Sequence, residues 1–453
     1  MKLRIDLEKE YGIVLEGGGA RGAYQIGVWK AMRELHIDYQ LVAGTSVGAL
    51  NGALMVQQEY DKALRVWENI SSQEIVGDAI PQQDDPDDRF LRRAFARQAF
   101  AHGGVELSAL EHFVSRLVDE ERFWDSPVDF ALVTVEYPSL KPLELMKKDI
   151  PRGKLQEYLM ASAACFPAFQ TKEIDGRRYM DGGYHDNMPV NLALKMGADR
   201  VIAVDLESIG ITHRVRDPEK QVTLICSLWP LGSFLKFEEK LARRNIQLGY
   251  LDARKAFGEA DGQLYTFQKD SAFFYTPVLR AQSEKLFERA RQRDERSFMA
   301  LRAGVMRRML RQFRRRAVHT GRPAAFTLSR QMMMAAEFLG EALGVSPERE
   351  YAFGDFLQEL LRAAKEARQR PVDWENWSDL RALGEELQKL DRAFVVLLIR
   401  ERIDSVLSGG GSLAEFLFAA AFWKELAAAI FLYFIEQPDS GFASLRQPGQ
   451  HDE

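Results

Sequence analysis

Residues 11–56 read YGIVLEGGGARGAYQIGVWKAMRELHIDYQLVAGTSVGALNGALMV, and they decide the fold. Tyr11 to Leu15 is an apolar run of strand length, closed by glycines at 17–19. A helical stretch follows from about Ala23 to Leu35, then a second short apolar run from Gln40 to Ala43. A turn at Gly44 to Gly48 leads into a helix of small residues through Val56. Strand, glycine turn and helix, twice over, is the signature of an α/β fold.

The same alternation continues outward. Val128 to Val135 alternates as a strand, and Leu155 to Ala164 is helical until Phe166-Pro167 stops it. Val201 to Leu206 and Val222 to Cys226 are strands of the buried type. Helices separated by single short strands predict a mainly parallel sheet covered on both faces, over residues 1–275.

Residues 77–104 break the pattern with a polar run from Gln82 to Asp88 and an amphipathic helix from Phe90 to Phe100. An insertion of this length reads either as a lid or as a surface excursion.

From about 280 the strands disappear. Glu284 to Arg316, Thr327 to Leu343, Glu350 to Arg368, Leu380 to Leu407 and Leu413 to Glu436 all have helical periodicity. Turn signals at 321–323, 346–347, 370–371 and 409–411 separate them. The expectation is an all-α helical bundle over 280–440 and a disordered tail over 441–453. Met332 to Met334 and Phe416 to Phe418 read as its core. Leu413 to Ile435 is too interrupted by Glu415, Lys424 and Glu425 to span a membrane. It reads either as a buried helix or as a homo-oligomer contact. Arg302, Arg307, Arg308, Arg311 and Arg314 to Arg316 crowd a helix whose other side carries Leu301, Val305, Met309 and Phe313. That basic helix, 302–316, fits a solvated face or a peripheral membrane contact.

The bulk numbers narrow the classes. A chain of 453 residues is long for one core, and 46% hydrophobic with 28% charged is globular. The net charge of -5 gives no general pull toward nucleic acid, and no such partner is expected. Cys165 and Cys226 make no disulfide framework, and seven scattered histidines show no ligand spacing, so no metal or cofactor is expected. Met1 to Glu10 lacks the apolar core of a signal peptide, and a cytoplasmic location is expected.

Three motifs carry the chemistry. Gly17-Gly18-Gly19-Ala20-Arg21-Gly22 lies between a strand and a helix, where backbone amides can turn toward an anion. That fits an oxyanion hole or a phosphate cradle. The phosphate-loop ending Gly-Lys-Ser/Thr is missing, and no acidic residue ends the second strand as a dinucleotide site would want. Arg21 suits bracing this loop or meeting a lipid phosphate.

Gly44-Thr45-Ser46-Val47-Gly48 is also a strand-to-helix turn, the context of a nucleophile elbow. There Ser46 would attack, and the amide of Val47 would join the oxyanion hole. The third motif is Asp181-Gly182-Gly183, followed by Asn187 and Pro189. Alone it reads equally well as a glycine turn with a hydrogen-bonding Asp. His185, four residues on, also permits a Ser-His-Asp triad.

Together the motifs resemble the patatin-like phospholipase family over residues 11–210. The family's oxyanion motif falls on Gly17 to Gly22, with Gly17, Gly18 and Gly19 as donors, its nucleophile motif on Gly44 to Gly48 and its catalytic Asp-Gly pair on Asp181-Gly182. The resemblance implies a three-layer patatin-like domain and a Ser46–Asp181 dyad with no histidine between. Arg21, Gly44, Gly48 and Gly182 would support it. It implies a serine lipid acyl hydrolase that cleaves fatty acyl esters of phospholipids or lysophospholipids through an acyl-enzyme. A soluble carboxylesterase or thioesterase with the same dyad, and a partner-regulated scaffold, remain open beside it.

Overall fold

A computed structural model describes residues 11–77, 89–217, 219–319, 326–369, 391–408 and 422–437. Met1 to Glu10, the run at 82–88, the turns at 321–323, 370–371 and 409–411, Phe416 to Phe418 and the tail 441–453 lie outside them. The chain divides into two compact units at Phe257–Gly258, ahead of the boundary expected near 275–280.

The first unit holds β1 (Tyr11–Leu15), β2 (Leu41–Thr45), β3 (Asp129–Tyr137), β4 (Pro142–Met146), β5 (Lys172–Ile174), β6 (Arg177–Asp181), β7 (Arg200–Asp205) and β8 (Gln221–Cys226). They form one sheet in the order β5-β6-β3-β2-β1-β7-β8, with β4 also on β3. From β3 through β8 the neighbours on this path are parallel. β4, β5 and β6 add antiparallel pairs at one side. These three polar-flanked strands carry little periodic signal and were not anticipated.

Around the sheet lie α1 (Ala23–Glu34), α2 (Val47–Val56), α3 (Tyr60–Glu68), α4 (Ser72–Val76), α5 (Arg89–His102), α6 (Ser108–Leu117), α7 (Glu120–Asp125), α8 (Leu155–Ala163), α9 (Val190–Lys195) and α10 (Glu239–Phe257). Alternate strand residues enter different cores. Ile13, Leu15, Val42 and Leu132 pack with residues of α1, α2, α8 and α10. Val14, Ala43, Ala131 and Val133 pack with Val190, Leu192 and Ala193 of α9. The sheet is therefore covered on both faces, which is why its strands read as unbroken apolar runs.

Register on β3 brings two chain ends together. β4 occupies one edge of β3 over Ala131–Val135. On the other edge, β2 runs parallel and ends with Thr45 opposite Val133, while β6 runs antiparallel and ends with Asp181 opposite Thr134. Two strands thus approach head-on along one edge and stop on successive rungs. Thr134 is fully buried, and its hydroxyl donates to the carbonyl of Met180 at 2.8 Å.

Among its described residues, the second unit is helical apart from a small sheet of β9 (Ala260–Asp261), β10 (Thr266–Gln268) and β11 (Glu350–Tyr351). Its helices are α11 (Thr276–Arg293), α12 (Glu295–His319), α13 (Leu328–Leu343), α14 (Phe353–Arg368), α15 (Arg392–Ser408) and α16 (Trp423–Glu436). The single helix expected over Glu284–Arg316 is two, because Asp294 leaves the helical region and accepts the amide of Ser297 at 3.1 Å as an N-cap. Leu301, Val305, Met309 and Phe313 of α12 are buried, while Arg302, Arg307, Arg308, Arg311 and Arg314 are exposed. Met332 to Met334 are buried, as their core reading requires. No helix among the described residues is long and apolar enough to cross a membrane.

Thr134→Val keeps the side-chain shape and removes only the bond to Met180. The expected cost is about 1 kcal/mol, read as a lower urea midpoint at unchanged slope. An unchanged midpoint would deny that this bond holds β6 in register.

Candidate functional site

Ser46 is the hinge between β2 and α2, with φ 55° and ψ -127°, a backbone region that residues other than glycine rarely occupy. Two neighbours over-determine it. The Ser46 amide donates to Ser162 Oγ at 2.9 Å, and that hydroxyl donates onward to the Val133 carbonyl at 2.7 Å. Opposite, a Cβ on Gly48 would collide with the Leu15 carbonyl, so glycine lets the start of α2 press against the end of β1. Ser162 went unrecognised in the sequence as a structural partner. Its one signal was a hydroxyl amid the small residues Ala161 and Ala163 at the end of α8 and Ala164 just after it.

Asp181 arrives from β6. Its amide donates to the Ala164 carbonyl at 2.9 Å, and its Oδ1 accepts the Gly183 amide at 2.8 Å. The Ser46 hydroxyl lies near enough to the same carboxylate to favour its charged form. Burial pushes the Asp181 carboxyl up to about 6, against the pull of the Gly183 amide and the Ser46 hydroxyl. Two residues 135 positions apart in the chain thus line one cavity.

The glycine loop approaches Ser46 from the end of β1. Not all of its amides are free. The Gly17 amide donates to the Asn187 carbonyl at 3.0 Å, which removes it from the expected oxyanion donors. Among the described residues the amides of Gly18, Gly19 and Val47 have no intramolecular acceptor, and all three residues line the same cavity. Gly19 has φ +52°, and a Cβ there would collide with the Phe234 carbonyl.

Arg21 braces this loop. Its Nε donates to the Gly232 carbonyl at 2.8 Å, and its Nη1 to those of Leu206 and Glu207 at 3.1 and 2.6 Å. Glu16 braces it from beneath. Buried, it accepts the Leu206 amide at 2.5 Å and Asn187 Nδ2 at 2.9 Å. Burial, then the neighbouring Asp205 carboxylate, raises the Glu16 carboxyl to about 8.

His185 sits elsewhere in the network. Its Nε2 is 3.9 Å from Glu144 Oε1, its ring is 5.2 Å from that of His213, and burial lowers its pKa. Gly44 and Gly182 flank the meeting point of β2 and β6, where a Cβ on either would collide with backbone.

Ser46 and Asp181 open into a cavity of about 550 Å³. Its walls are largely apolar: Leu50, Trp67, Ile75, Leu110, Phe113, Leu117, Phe169 and Phe237 line it. Helix α5, from the 77–104 insertion, sets Phe95 edge-on to the wall residue Phe169 at 6.1 Å. Among the described residues no group of His, Cys, Asp and Glu is placed to hold a metal ion.

Residues 13–194 match the family model for patatin-like phospholipase. A patatin-like phospholipase domain-containing protein of Caenorhabditis elegans, ZK370.4, is 30% identical over 218 residues. That alignment takes in 46% of this chain and 14% of the relative. The lysophospholipase nte1 of Aspergillus terreus is 27% identical, over 44% of this chain and 12% of its own. The chain thus spans a small fraction of the length of these relatives. VipD from Legionella pneumophila is a distant structural neighbour at 12% identity and TM-score 0.35, over 98% of this chain and 94% of that one. Family match and geometry meet on the same segment: residues 13–194 match the patatin-like phospholipase domain and contain Ser46, Asp181 and the glycine loop.

Proposed function

We propose that this protein is a serine lipid acyl hydrolase that cleaves fatty acyl esters of phospholipids or lysophospholipids. The observation that carries the reading is that Ser46, on its strained turn, and the buried Asp181 line one apolar cavity, with the serine hydroxyl favouring the charged carboxylate. An unperturbed aspartate is a weak base for a serine hydroxyl, since its pKa is only about 3.9. Burial brings Asp181 to about 6, nearer to neutral working pH and so a better match for proton transfer.

Ser46 Oγ attacks the ester carbonyl as its proton passes to Asp181. The amides of Gly18, Gly19 and Val47 receive the developing oxyanion. Asp181 returns the proton to the leaving alcohol, and water then cleaves the acyl-enzyme by the same route. A phosphate-cradle reading is disfavoured, because Arg21 is committed to three backbone carbonyls.

The lipid substrate rests on the apolar walls and on relatives with phospholipase names. A soluble carboxylesterase or thioesterase would use the same residues, and comparing vesicle-borne with short-chain esters separates the two. A scaffold without turnover would fail to label at Ser46 with a fluorophosphonate.

Ser46→Ala and Asp181→Asn should each lower short-ester kcat/KM by at least about 10³-fold. Substantial activity in either would end the dyad assignment. The base must be unprotonated, so kcat/KM should climb with pH and level off above about 6. An acid limb left near the ordinary carboxylate value would count against Asp181 as base. His185→Ala should stay within about threefold of the parent, whereas a triad would lose about 10³-fold or more. Ser162→Ala leaves the Ser46 amide without its acceptor, and should lower kcat about tenfold with KM little changed. A kcat equal to the parent's would show that the turn needs no such brace.

A further inference from the structure

The loop from Leu206 to Asp217 follows β7 and passes the mouth of the cavity. It is pinned along its length. Arg21 holds the carbonyls of Leu206 and Glu207. Ile211 donates its amide to the Gly183 carbonyl at 2.9 Å and accepts the Asn187 amide at 2.6 Å. The side chain of Asn191 donates to the Arg214 carbonyl at 3.0 Å and accepts the Arg216 amide at 2.9 Å.

Held so, the loop cannot tuck its apolar side chains inward. Ile209 is 89% exposed and Ile211 51%, yet both also border the cavity. Tyr184, another residue of the cavity lining, is exposed as well, and so is Val215 further along the loop. Apolar side chains fixed outward at the rim of an apolar cavity form a patch that a soluble surface has reason to avoid. Exposed cations follow on the same loop at Arg214 and Arg216, and no carboxylate occurs from Ser208 to Arg216. Exposed isoleucines followed along the same loop by exposed guanidiniums offer both chemistries of a phospholipid surface, hydrocarbon and phosphate.

We propose that this loop is where the cavity mouth seats on a phospholipid bilayer, with Ile209 and Ile211 entering the acyl boundary and Arg214 and Arg216 meeting headgroup phosphates. The inference rests on the lipid hydrolase reading, since docking here delivers a bilayer substrate straight to Ser46. It assigns the membrane contact to this loop in place of the basic face of α12.

The test is flotation of the full chain carrying Ser46→Ala, so that vesicles stay intact, with phosphatidylcholine vesicles containing phosphatidylserine. Removing one isoleucine from the acyl boundary costs about tenfold in partitioning. Adding Ile209→Asp and Ile211→Asp should therefore lower the bound fraction by at least about tenfold. The milder Ile209→Ser should lower it about tenfold, with an unchanged thermal midpoint to show that the fold is intact. Arg214→Gln with Arg216→Gln should weaken binding further as the phosphatidylserine fraction rises. Failure of the parent to float, or loop variants that float like it, would overturn the proposal. So would binding that survives in the loop variants and is lost in Arg307→Glu with Arg311→Glu, which assigns contact to α12. Wild-type protein that hydrolyses short esters without floating defeats the docking inference alone. Protein that floats without hydrolysing any ester defeats the hydrolase reading alone.

Discussion

The site depends on how one strand shares its edge. β2 and β6 meet head-on along β3 and stop at Val133 and Thr134. A one-residue slip of β6 would turn Asp181 to the opposite face of the sheet, because side chains alternate along a strand. The register is therefore specified by side chains that do not themselves line the cavity. Thr134 binds the Met180 carbonyl, Thr45 binds the Asp186 carbonyl at 2.8 Å, and Ser162 ties the Val133 carbonyl to the Ser46 amide. Three buried hydroxyls thus lock three backbone segments around one rung.

A second group of polar residues does the same for the glycine loop. Glu16, Arg21 and Asn187 together fix the end of β1, the segment after β7 and the turn after Asp181. Each is a side chain satisfying backbone groups that would otherwise be buried without partners. That explains why a loop of three consecutive glycines can be held rigid. Its own residues supply freedom, and its neighbours remove it.

The parallel strands were legible from sequence because burial on both faces leaves continuous apolar runs, as at Tyr11–Leu15 and Val201–Val204. β4, β5 and β6 were not, because they are short and alternate little. Their meaning lies in pairing across a long separation, which no local window contains. Ser46 was visible through its turn. Asp181 was visible only through family resemblance, since sequence alone cannot say that Tyr179–Asp181 abuts Thr45. Gly17 was over-read as a donor: a glycine motif advertises available amides, but the Asn187 carbonyl that consumes one comes from 170 positions away. The break at Asp294 was missed because Asp is tolerated within helices and becomes a cap only when the chain turns there.

On the proposed chemistry, burial at Asp181 works in two directions. It raises the carboxyl and improves the aspartate as a base, but it also disfavours the carboxylate needed before attack. The Gly183 amide and the Ser46 hydroxyl, both of which favour the charged form, hold the carboxyl to about 6. Deeper burial without those donors would leave Asp181 protonated at neutral pH and unable to accept the serine proton. Full exposure would return it to an ordinary acid too weak as a base. A dyad without histidine therefore requires a carboxylate that is buried and also hydrogen-bonded, and β6 ending beside β2 satisfies both conditions at one residue.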